Sequence, residues 1–270
     1  MTVSLAANQA LIVDMDGVLW RGAYVLPGVA DFFSFLTQHS IRVLLATNNA
    51  TLRAEDYVAR LEGMGVHIAR EQVLTSADAT ARWMTREFPA GARVYVIGEN
   101  GLLDALVQNG FQIAEKDVAA VVVGLDRMLT YEKLRRATLE LRAGARFIAT
   151  NGDKTLPTEQ GLVPGAGSIV AALVAASAVT PTVIGKPHRP MFDLALEILR
   201  SDRAHTAMLG DRLDTDIAGA HAAGLRTIMV LTGVSTRDEA YASAIKPDFI
   251  FENLPDLIQV WKASLQKRTS

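Results

Sequence analysis

The sequence predicts an α/β protein built on a mainly parallel sheet, with a second α/β block set into the middle of the chain. Short apolar runs alternate with stretches of helical character, which is the pattern of strand and crossover helix. Several of those runs end directly in acids, amides or a lysine rather than in turn residues.

The elements follow in order. Leu11-Ile12-Val13 reads as a strand buried on both faces. Residues 28–38 read as a helix, the run 41–46 as a strand ending at Thr47, and residues from about 54 to 64 as a second helix. The second block, 78–181, has strands at 93–97, 119–123 and 146–149, with helices at 101–109 and 131–143 between them. Pro164-Gly165-Ala166-Gly167-Ser168 opens its last helix; it is no phosphate loop, because no Gly-Lys-Ser/Thr follows. From 182 the first part resumes, with runs at 182–185 and 207–210. The domains are therefore expected at 1–77 and 182–270 for the core and 78–181 for the inserted block.

The chemistry concentrates where strands end. Asp14 and Asp16 follow the first strand at spacing i, i+2, which aims two like charges to one side unless a cation or a proton offsets them. A calcium loop would need glycine at its sixth position and glutamate at its twelfth; counted from Asp14 these are Leu19 and Val25. Thr47-Asn48-Asn49 offers short donors suited to an anion, Lys186 follows Ile184-Gly185, and Asp211, Asp214 and Asp216 crowd the stretch GDRLDTDIAGA. Four carboxylates, Asp14, Asp16, Asp211 and Asp216, against the single Lys186 make an anionic site that would not draw a phosphate without a metal. Oxygen ligands in a chain with no cysteine favour magnesium over zinc.

The blocks DMDGVLW, TNN, GKPHRPMF and GDRLDTDI together resemble the haloacid dehalogenase superfamily, and within it the NagD-type or 4-nitrophenylphosphatase branch. The resemblance runs the length of the chain in family order. It implies a doubly wound Rossmann-like core with the 78–181 block as an α/β cap over the active site. Asp14 would be the nucleophile, forming an aspartyl-phosphate, and Asp16 the acid that protonates the leaving oxygen and then the base that activates water. Magnesium would be held by the Asp14 carboxylate, the Asp16 backbone carbonyl and Asp211, with Asp216 orienting that shell. Thr47, Asn48 and Lys186 would hold the phosphoryl oxygens.

Asp16 also bears on the subclass, because halide departure needs no proton and phosphate ester cleavage does. RFIATN at 146–151 echoes RVLLATN at 42–48. In relatives the loop after the 146–149 strand often meets the leaving group, so Asn151, Asp153 and Leu156 are candidate substrate contacts, with Asn49, after Thr47-Asn48, as a further candidate. Leu156 makes the pocket apolar where some relatives carry a polar or aromatic side chain. Asp214 reads as a helix-start charge, the five histidines as structural or solvated, and Trp20-Arg21 as shaping the turn after Asp16.

The implied activity is a magnesium-dependent phosphatase for a small phosphorylated metabolite. The alternatives are a phospho-accepting or phosphate-binding regulatory protein without efficient turnover, against which Asp16, Asp216 and a cap argue, and a phosphomutase. Lys+Arg 27 against Asp+Glu 29 leaves no basic excess for nucleic acid or an anionic membrane. The start, MTVSLAANQALIV, lacks the basic region of a signal peptide, and no apolar stretch spans a bilayer. The expected location is cytoplasmic, and the resemblance allows a homodimer through the cap.

Overall fold

The computed structural model describes residues 4–158 and 160–269, with secondary structure but no side chains for residue 157 and residues 267–269. The first three residues of the amino-terminal stretch read above lie outside the described residues. The chain forms two compact units: Met1–Ala46, Val58–Leu74 and Phe192–Ser270 make the first, Thr47–Tyr57 and Thr75–Met191 the second.

The first unit is organised by a six-stranded sheet in the order Phe249–Phe251, Arg226–Val230, Thr206–Gly210, Ala10–Val13, Arg42–Thr47, Val73–Thr75. Ala10–Val13 is buried at every position and pairs in parallel on both sides, Val13 standing opposite Leu209 and Leu45. Continuous apolar character is what a strand covered on both faces requires. Burying each of Leu11, Ile12 and Val13 contributes about 1.5–3 kcal/mol. Outward from Ala10–Val13, the chain order runs forward on one side and starts again from the later strands on the other. The boundary between Ala10–Val13 and Thr206–Gly210 is therefore the switch point of the sheet, where the carboxyl ends of strands open a crevice.

The first helix begins at Val29 rather than at 28, because Gly28 sits in the left-handed region at φ 82°. Its buried Phe35 meets Trp261 of the last helix, Leu254–Thr269, edge to face with ring centroids 5.6 Å apart. Between the first strand and this helix lies an unexpected two-residue hairpin, Trp20–Arg21 against Tyr24–Val25. Gly22 supplies its positive φ of 54°.

The second unit has its own five-stranded parallel sheet, ordered Thr182–Val183, Arg146–Ala149, Ala120–Val123, Arg93–Ile97, Gln112–Ile113. Ile97, Val121, Val123, Phe147 and Leu173 pack into its core. Helices Ser76–Glu87 and Tyr131–Arg142 start at threonine caps, Thr75 accepting from the Asp78 N–H and Thr130 from the Lys133 N–H. The helix expected after Gly165 spans Ala166–Ser177.

The units and the expected domains differ in three stretches, residues 47–57, 75–77 and 182–191. Thr182 and Val183 pair with Ile148 and Ala149, so the strand that leads to Lys186 belongs to the second sheet, and the second unit runs on to Met191. Residues 47–57 also pack with the second unit. Among the described residues no helix is long and apolar enough to cross a membrane.

Candidate active site

In the first unit, Asp14 and Asp211 arrive at the same level of the sheet. The Asp14 N–H donates to the Leu209 carbonyl at 2.9 Å, and Asp211 follows two residues beyond Leu209. Asp216 returns from the turn Leu213–Ile217, which is wound as a π-helix. Carboxylate oxygens of Asp14, Asp211 and Asp216 lie within 4.8 Å of one another, and these residues are only 7%, 1% and 0% exposed. Unit charges about 4 Å apart repel by about 4 kcal/mol at the dielectric typical near a protein surface. The group therefore suits a hard divalent cation. A set made only of oxygens, with two adjacent strand ends supplying ligands, fits magnesium, which takes one or two carboxylates and keeps waters.

Backbone geometry holds this group. Asp216 Oδ2 accepts the N–H groups of Asp211 and Arg212, each at 3.2 Å, and Asp211 Oδ2 accepts the Val234 N–H at 2.6 Å. Three glycines leave room for the acids. A Cβ added at Gly233 would stand 1.7 Å from Asp211 Oδ2, one at Gly210 2.3 Å from Asp216 Cβ, and one at Gly17 2.5 Å from Asp211 Oδ2. Nothing in the spacing of these glycines announced that role; it needs the loop after Arg226–Val230 folded back onto the loop after Thr206–Gly210.

Asp16 is exposed and stands outside the trio; its Oδ1 accepts the indole N–H of Trp20 at 2.8 Å. Asp214, the extra acid, turns to solvent and pairs with Arg212, Nη2 to Oδ2 at 2.9 Å.

In the second unit, Thr47 Oγ1 accepts the Asn49 N–H at 3.1 Å, and Asn49 Oδ1 accepts from both the N–H and the hydroxyl of Thr51 at 2.8 Å. Asn49 is thereby spent on its own turn. Asn48 Nδ2 donates to the Lys186 carbonyl at 2.8 Å and to Asp153 Oδ2 at 3.1 Å, while its carbonyl accepts Asn151 Nδ2 at 2.7 Å and Ser76 Oγ at 2.5 Å. The echoed ATN segments thus meet, and Asn48, Asn151, Asp153 and Lys186 form one buried or half-buried group. The Lys186 side chain is 2% exposed. Gly185 makes that closeness workable, since a Cβ there would lie 2.6 Å from Asn48 Oδ1. Leu156 sits apart, half-buried in a hairpin of Thr155–Thr158 with Gly161–Pro164, opposite Val163.

An acidic trio at the switch point of a parallel sheet defines a class, and comparison with known proteins names it. The family profile described as haloacid dehalogenase-like hydrolase matches residues 11–112, and a HAD-hydrolase-like profile matches residues 183–257. The acid sugar phosphatase of Staphylococcus saprophyticus is 40% identical over 252 residues, covering 93% of this chain and 97% of that protein. The solved structure of a 4-nitrophenylphosphatase from Thermotoga maritima superposes with a TM-score of 0.91 at 37% identity, covering 95% of this chain and 98% of that one. A glycerol phosphate phosphatase from Mycobacterium tuberculosis, solved in complex with magnesium, gives a TM-score of 0.87 at 36% identity over 97% of this chain and 80% of that one.

The chain belongs to the haloacid dehalogenase-like hydrolases. Within them it is a phosphatase of the NagD-type, 4-nitrophenylphosphatase branch, a phosphoric monoester hydrolase.

Proposed function

We propose that the protein is a magnesium-dependent phosphatase of a small phosphorylated metabolite, working in the cytoplasm through an aspartyl-phosphate on Asp14. The observation that carries this reading is the buried trio Asp14, Asp211 and Asp216 at the switch point of the sheet. The similar proteins named for sugar and glycerol phosphates support a sugar- or polyol-type substrate, and the 4-nitrophenylphosphatases support accessory action on aryl phosphates.

An Asp14 oxygen attacks phosphorus, and the bond from phosphorus to the leaving oxygen breaks as the Asp16 proton passes to that oxygen. Water then gives a proton to the Asp16 carboxylate while its oxygen attacks phosphorus, and the bond to Asp14 breaks. Inorganic phosphate leaves and both aspartates regain their starting states. Thr47, Lys186 and the backbone N–H of Asn48, whose Nδ2 hydrogens are spent on the Lys186 carbonyl and Asp153, would hold the phosphoryl oxygens and stabilise charge as it spreads over them. Asp14, the Asp16 carbonyl and Asp211 would hold magnesium, which when bound would supply positive charge to offset this acidic site toward a phosphate. Asp216 fixes the loop that carries Asp211.

Asp14→Asn tests the reading: phosphate release should vanish while the melting temperature stays near that of the wild type. Retained release would refute the nucleophile assignment. Magnesium should raise the melting temperature of the wild type and leave that of Asp211→Asn unmoved.

A further inference from the structure

Trp20 is fully buried although it opens a hairpin whose other paired residues, Arg21, Tyr24 and Val25, are exposed. Its indole N–H donates to Asp16 Oδ1 at 2.8 Å. The Arg60 guanidinium lies over the same ring, 4.0 Å from its centroid, and donates to the Gly22 carbonyl in the hairpin turn. The backbone closes the arrangement from below, with the Gly17 N–H donating to the Trp20 carbonyl at 2.7 Å and Thr232 Oγ1 donating to the Gly17 carbonyl at 2.6 Å. Arg21 ties the hairpin to the carbonyls of Thr232 and Gly233.

We infer that Trp20, clamped by Arg60, is a positioning residue that sets which Asp16 oxygen faces the substrate; this rests on the reading of Asp16 as the proton donor. An exposed carboxylate turns broadly about its terminal torsion, so without a fixed partner either oxygen could be presented. An indole offers a donor and no acceptor. The oxygen bonded to it is held against the ring, which leaves Oδ2 as the oxygen turned toward the substrate. The ring is held on its face by the guanidinium and shut away from water, so the direction of the Nε1–H is set by packing. Placement of this kind matters because a general acid misaimed by a fraction of an ångström loses most of its effect.

The test compares leaving groups in the first turnover. A 4-nitrophenolate departs without a proton, whereas the alkoxide of glycerol phosphate needs one. Trp20→Phe keeps an aromatic ring under Arg60 and removes the N–H. It should slow first-turnover release of glycerol by about tenfold or more, within the range a general acid supplies, and of 4-nitrophenol by less than about threefold, with KM little changed. Trp20→His, which restores a ring N–H, should recover part of the glycerol rate. Arg60→Met, made at a partly exposed site that does not threaten folding, should shift the two substrates in the same unequal way. Equal slowing of both leaving groups, or no slowing, would overturn the inference. Activity surviving in Asp14→Asn would instead overturn the reading it rests on.

Discussion

The Asp216 carboxylate accepts the backbone N–H of Asp211 at 3.2 Å, so the residue that follows the strand is held by the residue five positions later. The second N–H, from Arg212, reaches the same oxygen. Asp216 thus sets the path of the chain at Asp211 as well as adding charge to the site. Asp216→Asn keeps the size of the side chain and an acceptor oxygen but removes the charge. Phosphate release should fall about 10- to 100-fold, the usual effect of losing a residue that orients metal ligands. The magnesium concentration for half-maximal activity should rise, which a titration of rate against magnesium measures directly.

Gly233 carries a prediction of a different kind. It lies on a loop far in sequence from both acids, yet its Cα faces the Asp211 carboxylate so closely that a Cβ would fall 1.7 Å from Oδ2. Neither a flexible side chain nor open space can absorb that methyl, and the Asp211 carboxylate is pinned by the Val234 N–H. Gly233→Ala should therefore cut phosphate release by more than about tenfold, since misplacing a site group by about 1 Å costs far more than one contact. Gly63→Ala, where a Cβ meets its nearest atom at an ordinary 3.4 Å, should leave activity unchanged and serves as the control. Full activity in Gly233→Ala would mean that Asp211 need not hold its present position.

These examples mark where the sequence was informative and where it was not. Asp14 and Asp211 could be recognised because each directly follows an apolar run, and strand ends in a parallel sheet point to one rim. Strands 93–97 and 146–149 were legible for the same reason, being continuous and wholly or largely apolar. The two residues Thr182 and Val183 are too short to announce a partner, and which sheet they join depends on Ile148 and Ala149, more than thirty positions earlier. The hairpin at Trp20 carries none of the Asn-Gly or Asp-Gly turn chemistry that marks most such turns. The Trp20 ring is covered on one face by Arg60, forty residues away, and nothing in local spacing shows that. The glycines against Asp211 and Asp216 were hidden because close approach is a property of two loops together.

The second unit offers a stability test independent of the chemistry. Arg127 grips Glu99 with both sides of its guanidinium, Nε to Oε1 at 2.8 Å and Nη2 to Oε2 at 2.6 Å, and adds its backbone N–H to Oε1 at 3.1 Å. The Arg127 side-chain hydrogen bonds hold the Glu99 carboxyl below the usual carboxylate range, against an opposing effect of burial. A group whose folded value is depressed contributes stability that is fully present above its unfolded value and is lost as pH falls through the folded one. Glu99→Gln should lower stability at neutral pH by about 0.5–1 kcal/mol, because Arg127 is mostly solvated and the pair is partly screened. That corresponds to a drop in melting temperature of about 1–4 °C. The gap between wild type and variant should hold from pH 7 down to about pH 4.3, the ordinary glutamate value, and close below it as Glu99 takes up its proton. Melting curves of both proteins across that range decide the matter: a gap of constant size at every pH would show that the hydrogen-bond geometry of the pair, rather than the carboxylate charge, supplies the stabilisation.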